Sequence, residues 1–120
     1  THDMGTMREW WETERDHIQH FFNQVLGHYG GAPFYCEPWV ARDIINQHLQ
    51  SPAMWAVFLL QDLLAADGNL RFQNTQAERI NNPADPNHDW NYRMHLTLEQ
   101  LRENKDFTGL VKELVLHSGR

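Results

Sequence analysis

Cysteine is nearly absent from this 120-residue chain, since Cys36 is the only one. A single thiol excludes an intrachain disulfide and a zinc site built from cysteines. The longest apolar run, residues 53–60, is far shorter than the stretch of about 20 residues that a membrane-spanning helix needs. A glycine-rich phosphate loop and a Gly-x-Ser-x-Gly motif are also missing, which argues against those two enzyme classes.

Positive charge is scarce as well. The chain has 10 Lys and Arg against 16 Asp and Glu, for a net charge of −6 at pH 7. Nucleic-acid partners and anionic membrane surfaces select basic clusters, so we expect neither as a partner. The low cysteine content and the lack of a signal-peptide pattern favour a cytoplasmic location.

Helical periodicity covers much of what is present. One apolar stripe, interrupted only at Glu14, follows a capping-box spacing at Thr6 and Glu9. Pro38 suits the first turn of a later helix, and Thr97 with Gln100 repeats the capping-box spacing. The predicted helices cover approximately residues 7–26, 37–50, 97–103 and 106–117.

Residues 53–60 form a continuous apolar run without alternation, which favours a parallel strand buried on both faces. A buried helix extended by Leu63 and Leu64 is the alternative. A single parallel strand has no hydrogen-bonding neighbour of its own, so we expect its sheet to lie upstream of Thr1. Residues 1–120 are therefore predicted to be one partial α/β domain, mostly helical with one buried strand. An unpaired apolar strand also predicts self-association of the isolated chain.

Several polar residues are candidates for a functional site. Asp3, in the pair His2-Asp3, precedes the first helix, and Gln61-Asp62 follows the predicted strand, where α/β enzymes place functional groups. A surface carboxylate near a helix N-terminus and a plain strand exit are the simpler interpretations. The helix residues His17 and His20 with Glu14 lack a metal-binding motif, so we predict no metal site.

A polar connection covers residues 67–95, and a connection of this length is functional or disordered. It contains Arg-Ile-Asn-Asn-Pro at residues 79–83 and aromatic residues between Trp90 and Arg93. Aromatic rings beside amides are typical of a carbohydrate site. A loop held in place by its own aromatic residues is the alternative.

Three segments resemble the 4-α-glucanotransferases (amylomaltases or disproportionating enzymes, glycoside hydrolase family 77). They are Thr-His-Asp-Met-Gly-Thr-Met-Arg-Glu-Trp-Trp-Glu at 1–12, the run at 54–65 with its Gln-Asp, and residues 78–96 around Arg-Ile-Asn-Asn-Pro. The similarity covers residues 1 to about 101. Leu59 replaces a common proline, and Asp89 and Asn91 depart from the family pattern around Trp90.

The resemblance implies a C-terminal fragment of a TIM (β/α)8 barrel, from the end of strand seven through strand eight and the C-terminal helices. It implies a retaining double displacement on starch-type α-1,4-glucans, with maltooligosaccharides as partners and no cofactor. Asp3 matches the catalytic carboxylate that stabilises the transition state, His2 a donor to the same sugar, and Asn81 a loop position near the glucan. The nucleophilic Asp and the acid/base Glu would belong to the rest of the barrel, so the isolated chain is expected to be inactive.

Two other interpretations stay open from the sequence. The chain is either a self-contained helical interaction module without catalysis, or a fragment of a hydrolase from the wider α-amylase clan. Coding sequence upstream of Thr1 would separate them.

Overall fold

A computed structural model describes residues 2–120, so Thr1 of the first motif lies outside the described residues. Six α-helices, one π-helical turn and one 3-10 turn are present in this part of the chain. They are α1 (Met7–Thr13), α2 (Arg15–His20), the π turn (Phe21–Val25), α3 (Pro38–Leu49), α4 (Leu60–Leu64), the 3-10 turn (Gln76–Glu78), α5 (Leu98–Glu103) and α6 (Lys105–His117).

The single helix predicted over residues 7–26 is divided in the structure. Glu14, with φ −87° and ψ 51°, leaves the helical region between α1 and α2. The chain then continues through the π turn. The change of direction brings the Phe21 ring edge-on to Trp10, with 5.2 Å between the ring centroids. Residue 14, which interrupts the apolar stripe in the sequence, is thus the place where the helix breaks.

Helix α3 is central to the fold because it contributes to two apolar clusters. Val40 and Ile44 pack with the buried Trp11 and Phe22 of the N-terminal helices. Ile45 begins the second cluster, in which α3 meets the partly buried face of α6. The N-terminal limit of α3 agrees with the prediction, since Pro38 occupies its first turn.

The predicted buried strand at residues 53–60, and with it the α/β barrel-fragment fold, is wrong. Residues 2–120 contain no strand, and residues 53–59 are irregular and end at α4. A strand needs a ladder partner, and none lies beside this segment. Instead, the Arg120 guanidinium donates to the carbonyls of Leu49, Ser51 and Ala53 at 2.6, 2.9 and 2.7 Å. Met54, Trp55 and Val57 are exposed, so the apolar run is not buried on both faces.

The two C-terminal helices, α5 and α6, both begin at capping residues. Thr97 and Gln100 form both hydrogen bonds of a capping box at the start of α5. The Asn104 side chain accepts a hydrogen bond from the Phe107 amide at 2.9 Å and caps α6. The two predicted C-terminal helices are confirmed, as is the polar connection between residues 67 and 95, which contains only the 3-10 turn.

Candidate functional site

His2 and Asp3 lie in the turn before α1. Thr6 fixes the start of the helix, because its hydroxyl accepts a hydrogen bond from the Glu9 amide at 3.3 Å. The Nε2 atom of His2 is 3.3 Å from Oδ1 of Asp3, and both side chains are about half exposed, at 52% and 50%. The pair is therefore open to solvent on one side and attached to a capped helix on the other.

Asn81 reaches this pair from the polar connection. Its Nδ2 atom donates to Oδ1 of Asp3 at 2.8 Å, across 78 positions of sequence. Its backbone amide donates to the His2 carbonyl at 3.1 Å. The structure thus brings His2, Asp3 and Asn81 together, although the fold predicted to carry them is absent.

Trp90 completes one side of the pair. Its ring centroid lies 4.7 Å from that of His2 at an interplanar angle of 52°, and the indole is mostly exposed. Asp89 and Asn91 on either side are exposed too. An exposed aromatic ring next to a carboxylate, an amide and an imidazole can offer both an apolar face and hydrogen-bonding groups to a polar ligand.

A buried ion pair between Arg8 and Glu78 joins α1 to the polar connection that carries Asn81. Nη1 of Arg8, on α1, is 3.5 Å from Oε2 of Glu78, and the two side chains are 6% and 2% exposed. The same Nη1 donates to the carbonyl of Phe72. Burial raises the pKa of Glu78 to about 7, against the opposing effect of the Arg8 charge.

Arg79 and Glu9 form a second ion pair between the same two segments. Nη1 of Arg79 is 3.3 Å from Oε1 of Glu9. The Glu9 carboxylate fills the space beside Gly5, where a Cβ would lie 2.9 Å from the Glu9 carboxyl carbon. A side chain at position 5 would therefore displace the partner of Arg79.

Gln61 and Asp62, the second pair of candidates, lie in the first turn of α4 rather than at a strand end. Nε2 of Gln61 donates to the Glu78 carbonyl at 3.2 Å, and Oδ1 of Asp62 accepts from the Met7 amide at 2.8 Å. Burial raises the pKa of Asp62. These two residues join α4 to α1 and to the polar connection, and neither touches His2, Asp3 or Asn81 through these bonds.

Sequence reasoning predicted neither ion pair: it used Glu9 only as part of a capping box and Arg79 only as part of the Arg-Ile-Asn-Asn-Pro segment. One signal was present: Arg8 lies three residues before the buried Trp11, so a charge sits near the apolar face of a helix. A cleft of about 610 Å³ opens beside the pair formed by Glu9 and Arg79 and is lined by these two residues and Asp62 among others. His2, Asp3 and Asn81 do not line it, so the cleft is separate from the candidate site.

Residues 1–98 match the family model described as 4-alpha-glucanotransferase. The chain belongs to this family. It is 42% identical over 119 residues to the 4-alpha-glucanotransferase DPE2 of Oryza sativa subsp. japonica, an alignment that covers 99% of this chain and 13% of the rice protein. It is 28% identical over 123 residues to a 4-alpha-glucanotransferase of Chlamydia pneumoniae, covering 96% of this chain and 22% of that protein. No solved structure matches the chain.

The chain thus spans about 13% and 22% of the length of these two glucanotransferases. Among residues 2–120, no helix combines the length and the apolar character that crossing a bilayer requires. The same residues contain no group of three or more His, Cys, Asp and Glu side chains arranged to hold a metal ion.

Proposed function

We propose that this chain supplies part of the glucan site of a 4-alpha-glucanotransferase, which moves α-1,4-glucan segments between maltodextrins. The observation that carries the proposal is the 2.8 Å hydrogen bond from Asn81 to Asp3. It joins two residues from separate motifs that resemble the family. Family membership supports the reaction class, and a self-contained interaction module does not account for it.

In this proposal Asp3 is the catalytic carboxylate that stabilises the transition state. Its half-exposed side chain accepts hydrogen bonds from the C2 and C3 hydroxyls of the glucose undergoing transfer, while Asn81 fixes Oδ1. Such bonds strengthen as the ring flattens toward an oxocarbenium ion. Interactions that are stronger in the transition state than in the ground state raise kcat. His2 donates to the same sugar, and Asn81 lies close to the glucan.

The remaining catalytic groups belong to a longer protein in this proposal. The relatives are several times longer than this chain, which leaves room for the nucleophilic Asp and the acid/base Glu of a retaining double displacement. Residues 1–120 are then a single partial domain that is inactive when isolated. A place in starch and maltodextrin metabolism accords with this reaction. A cytoplasmic location stays a prediction, and the low cysteine content is the observation in its favour.

Disproportionation of maltotriose by the complete enzyme that contains this chain tests the proposal. Asp3→Ala is expected to lower kcat by at least about a hundredfold, the order of magnitude lost when a group that stabilises a transition state is removed. The matched control is Asp16→Ala, at an exposed position on α2.

Normal disproportionation by the Asp3→Ala enzyme would refute the proposed function. The isolated 120-residue chain gives a second test, because one stabilising carboxylate cannot break a glycosidic bond by itself. Glucose release from maltotriose by the rigorously purified chain, persisting in Asp3→Asn, would show that the catalytic groups have been misassigned.

A further inference from the structure

The segment 78–81 is attached to the start of the chain at three positions. The Glu78 carboxylate meets Arg8, the Arg79 guanidinium meets Glu9, and Asn81 meets Asp3. A polar connection whose one regular element is a 3-10 turn has little internal stiffness, so its position depends on such contacts. The location of the Asn81 amide is therefore set by side chains of α1 as well as by Asp3.

Arg8 has a particular place among these contacts because it binds the connection at two points. Its Nη1 atom donates to the Phe72 carbonyl and lies 3.5 Å from the Glu78 carboxylate. These partners bracket residues 73–77, so one guanidinium closes this part of the connection into a loop. A buried cation without partners is strongly destabilising, which opposes separation of the loop from α1.

The carbonyl of Glu78 is held as well. It accepts a hydrogen bond from Nε2 of Gln61 at 3.2 Å, and Gln61 is buried on α4. Glu78 is thereby fixed through its side chain by α1 and through its backbone by α4. Three residues further on, Asn81 has little freedom to leave Oδ1 of Asp3.

We propose that Arg8, acting through Glu78, is a positioning residue that holds Asn81 against Asp3 in the glucan site. This rests on the proposed function for its effect on transfer, whereas the positioning itself is a property of the chain. Arg8 is 5% exposed and does not line the open side of the site, so it acts through Glu78 and Asn81 and not by touching sugar.

The simplest alternative is an ion pair that contributes to stability alone. The positioning role and the stability-only role predict different effects of Arg8→Met when Asn81 has already been replaced. If Arg8 acts through Asn81, removing Arg8 after Asn81 has been removed costs little further activity. If it contributes only to stability, Arg8→Met leaves the kcat of the folded enzyme close to wild type, and any loss it does cause multiplies with that of Asn81→Ala, because separate sites behave independently.

A double-mutant cycle in the complete enzyme measures this coupling, with Arg8→Met, Asn81→Ala and both together. Arg8→Met is expected to lower kcat for maltotriose disproportionation by about tenfold to a hundredfold, the scale of a misplaced catalytic group, with a smaller change in KM. The double variant is expected to be no more than about threefold worse than Asn81→Ala alone. Multiplicative losses would overturn the proposal.

Arg15→Met is the matched control. Arg15 also donates from Nη1 to backbone carbonyls, those of Pro33 and Phe34 at 3.3 and 3.1 Å, but it holds a different loop. It is expected to lower stability while leaving kcat close to wild type. A kcat loss in Arg15→Met equal to that in Arg8→Met would show that any loosening of this region reduces activity, and would overturn the specific role of Arg8.

Conservative variants supply a rescue test. Arg8→Lys retains the charge but replaces the planar guanidinium by a compact ammonium on a more flexible stem, so it is expected to recover only part of the kcat that Arg8→Met loses. Glu78→Gln retains an oxygen acceptor for Arg8 and is expected to recover more activity than Glu78→Ala. Equal activity of Glu78→Gln and Glu78→Ala would contradict a role that depends on the contact between the two side chains.

Hydrogen exchange separates this inference from the proposed function. The Asn81 amide donates to the His2 carbonyl, so its protection reports the position of Asn81 without any assay of activity. Arg8→Met is expected to raise its exchange rate by at least about tenfold relative to Arg15→Met. Unchanged protection in Arg8→Met would overturn the positioning role, even if Asp3→Ala is inactive. Raised exchange combined with a fully active Asp3→Ala would support the positioning and refute the proposed function.

Discussion

The Asp62 carboxylate accepts a hydrogen bond from the Met7 amide at 2.8 Å, so that a residue of α4 caps the first turn of α1. The first amides of a helix have no partner within it, and an oxygen from elsewhere in the fold supplies one here. This bond holds the helix that immediately follows Asp3. It gives α4 an influence on the candidate site although α4 contributes nothing to that site directly.

Replacing Asp62 by Ala leaves the Met7 amide without its acceptor. The free energy of unfolding is expected to fall by about 1–2 kcal/mol, measured by urea denaturation. Asp62→Asn keeps an oxygen in place, and burial already opposes the charge on Asp62 by raising its pKa, so this variant is expected to lose less than about 0.5 kcal/mol. Equal losses in the two variants would show that the charge matters more than the oxygen.

Glu78 makes stability depend on pH. Burial raises its pKa from the ordinary 4.5 to about 7, so the folded state binds this proton more tightly than the unfolded state. The stabilising effect is complete below about pH 4.5 and is lost as pH rises through about 7. The free energy of unfolding of the wild type, relative to Glu78→Gln, is therefore expected to fall between these two pH values.

Urea denaturation across this pH range, with both proteins measured in the same buffers, gives the difference directly. Glu103→Gln, at an exposed position on α5, is the control for loss of a carboxylate as such. A difference between wild type and Glu78→Gln that rises with pH would mean that the Arg8 charge outweighs burial at Glu78.

The Cys36 thiol is expected to be unreactive toward thiol reagents in the folded protein. Its side chain is fully buried, and burial raises the pKa of the thiol to about 12 despite the nearby Arg8 and Arg71. The reactive species is the thiolate, so a disulfide reagent at pH 8 should modify Cys36 only at the rate of unfolding. Lys112→Cys adds an exposed thiol on α6 as an internal standard. Equally fast reaction of both thiols would contradict the packing around Cys36.

Residues 53–59 expose apolar side chains, and burying them against a second copy of the chain would be favourable. Met54, Trp55 and Val57 are 84%, 79% and 89% exposed. We expect the isolated chain to self-associate through this segment, with sedimentation velocity showing a larger species as concentration increases. Trp55→Glu combined with Val57→Lys should restore a monomer, whereas Tyr29→Glu, at another exposed aromatic residue, should not. A wild-type chain that stays monomeric at high concentration would disprove this expectation.

Local signals predicted the helices well and failed where pairing is non-local. The capping box at Thr97 and the first-turn proline at Pro38 depend on a few adjacent residues, and the structure reproduces both. The strand at 53–60 was wrong because consecutive apolar residues specify burial and not a partner strand, and no partner is present among the described residues. The helix breaks at Glu14, whereas the apolar periodicity alone predicted one continuous helix with a single polar exception there.

The site was predictable only in part. His2, Asp3 and Asn81 came from the resemblance of short motifs, and the structure brings them into contact. The Arg8 and Glu78 pair was missed because charged side chains are ordinarily exposed, and their burial depends on contacts between distant segments. Such contacts form only in the folded chain, so a short stretch of sequence does not reveal them.

The bond between Asp3 and Asn81 also has a consequence for folding kinetics. Closing a loop of this length loses chain entropy before any contact compensates for it, so such contacts form late. Weakening an interaction absent from the folding transition state accelerates unfolding and leaves the folding rate nearly unchanged. In a chevron plot, Asn81→Ala should therefore move the unfolding limb while the refolding limb stays in place.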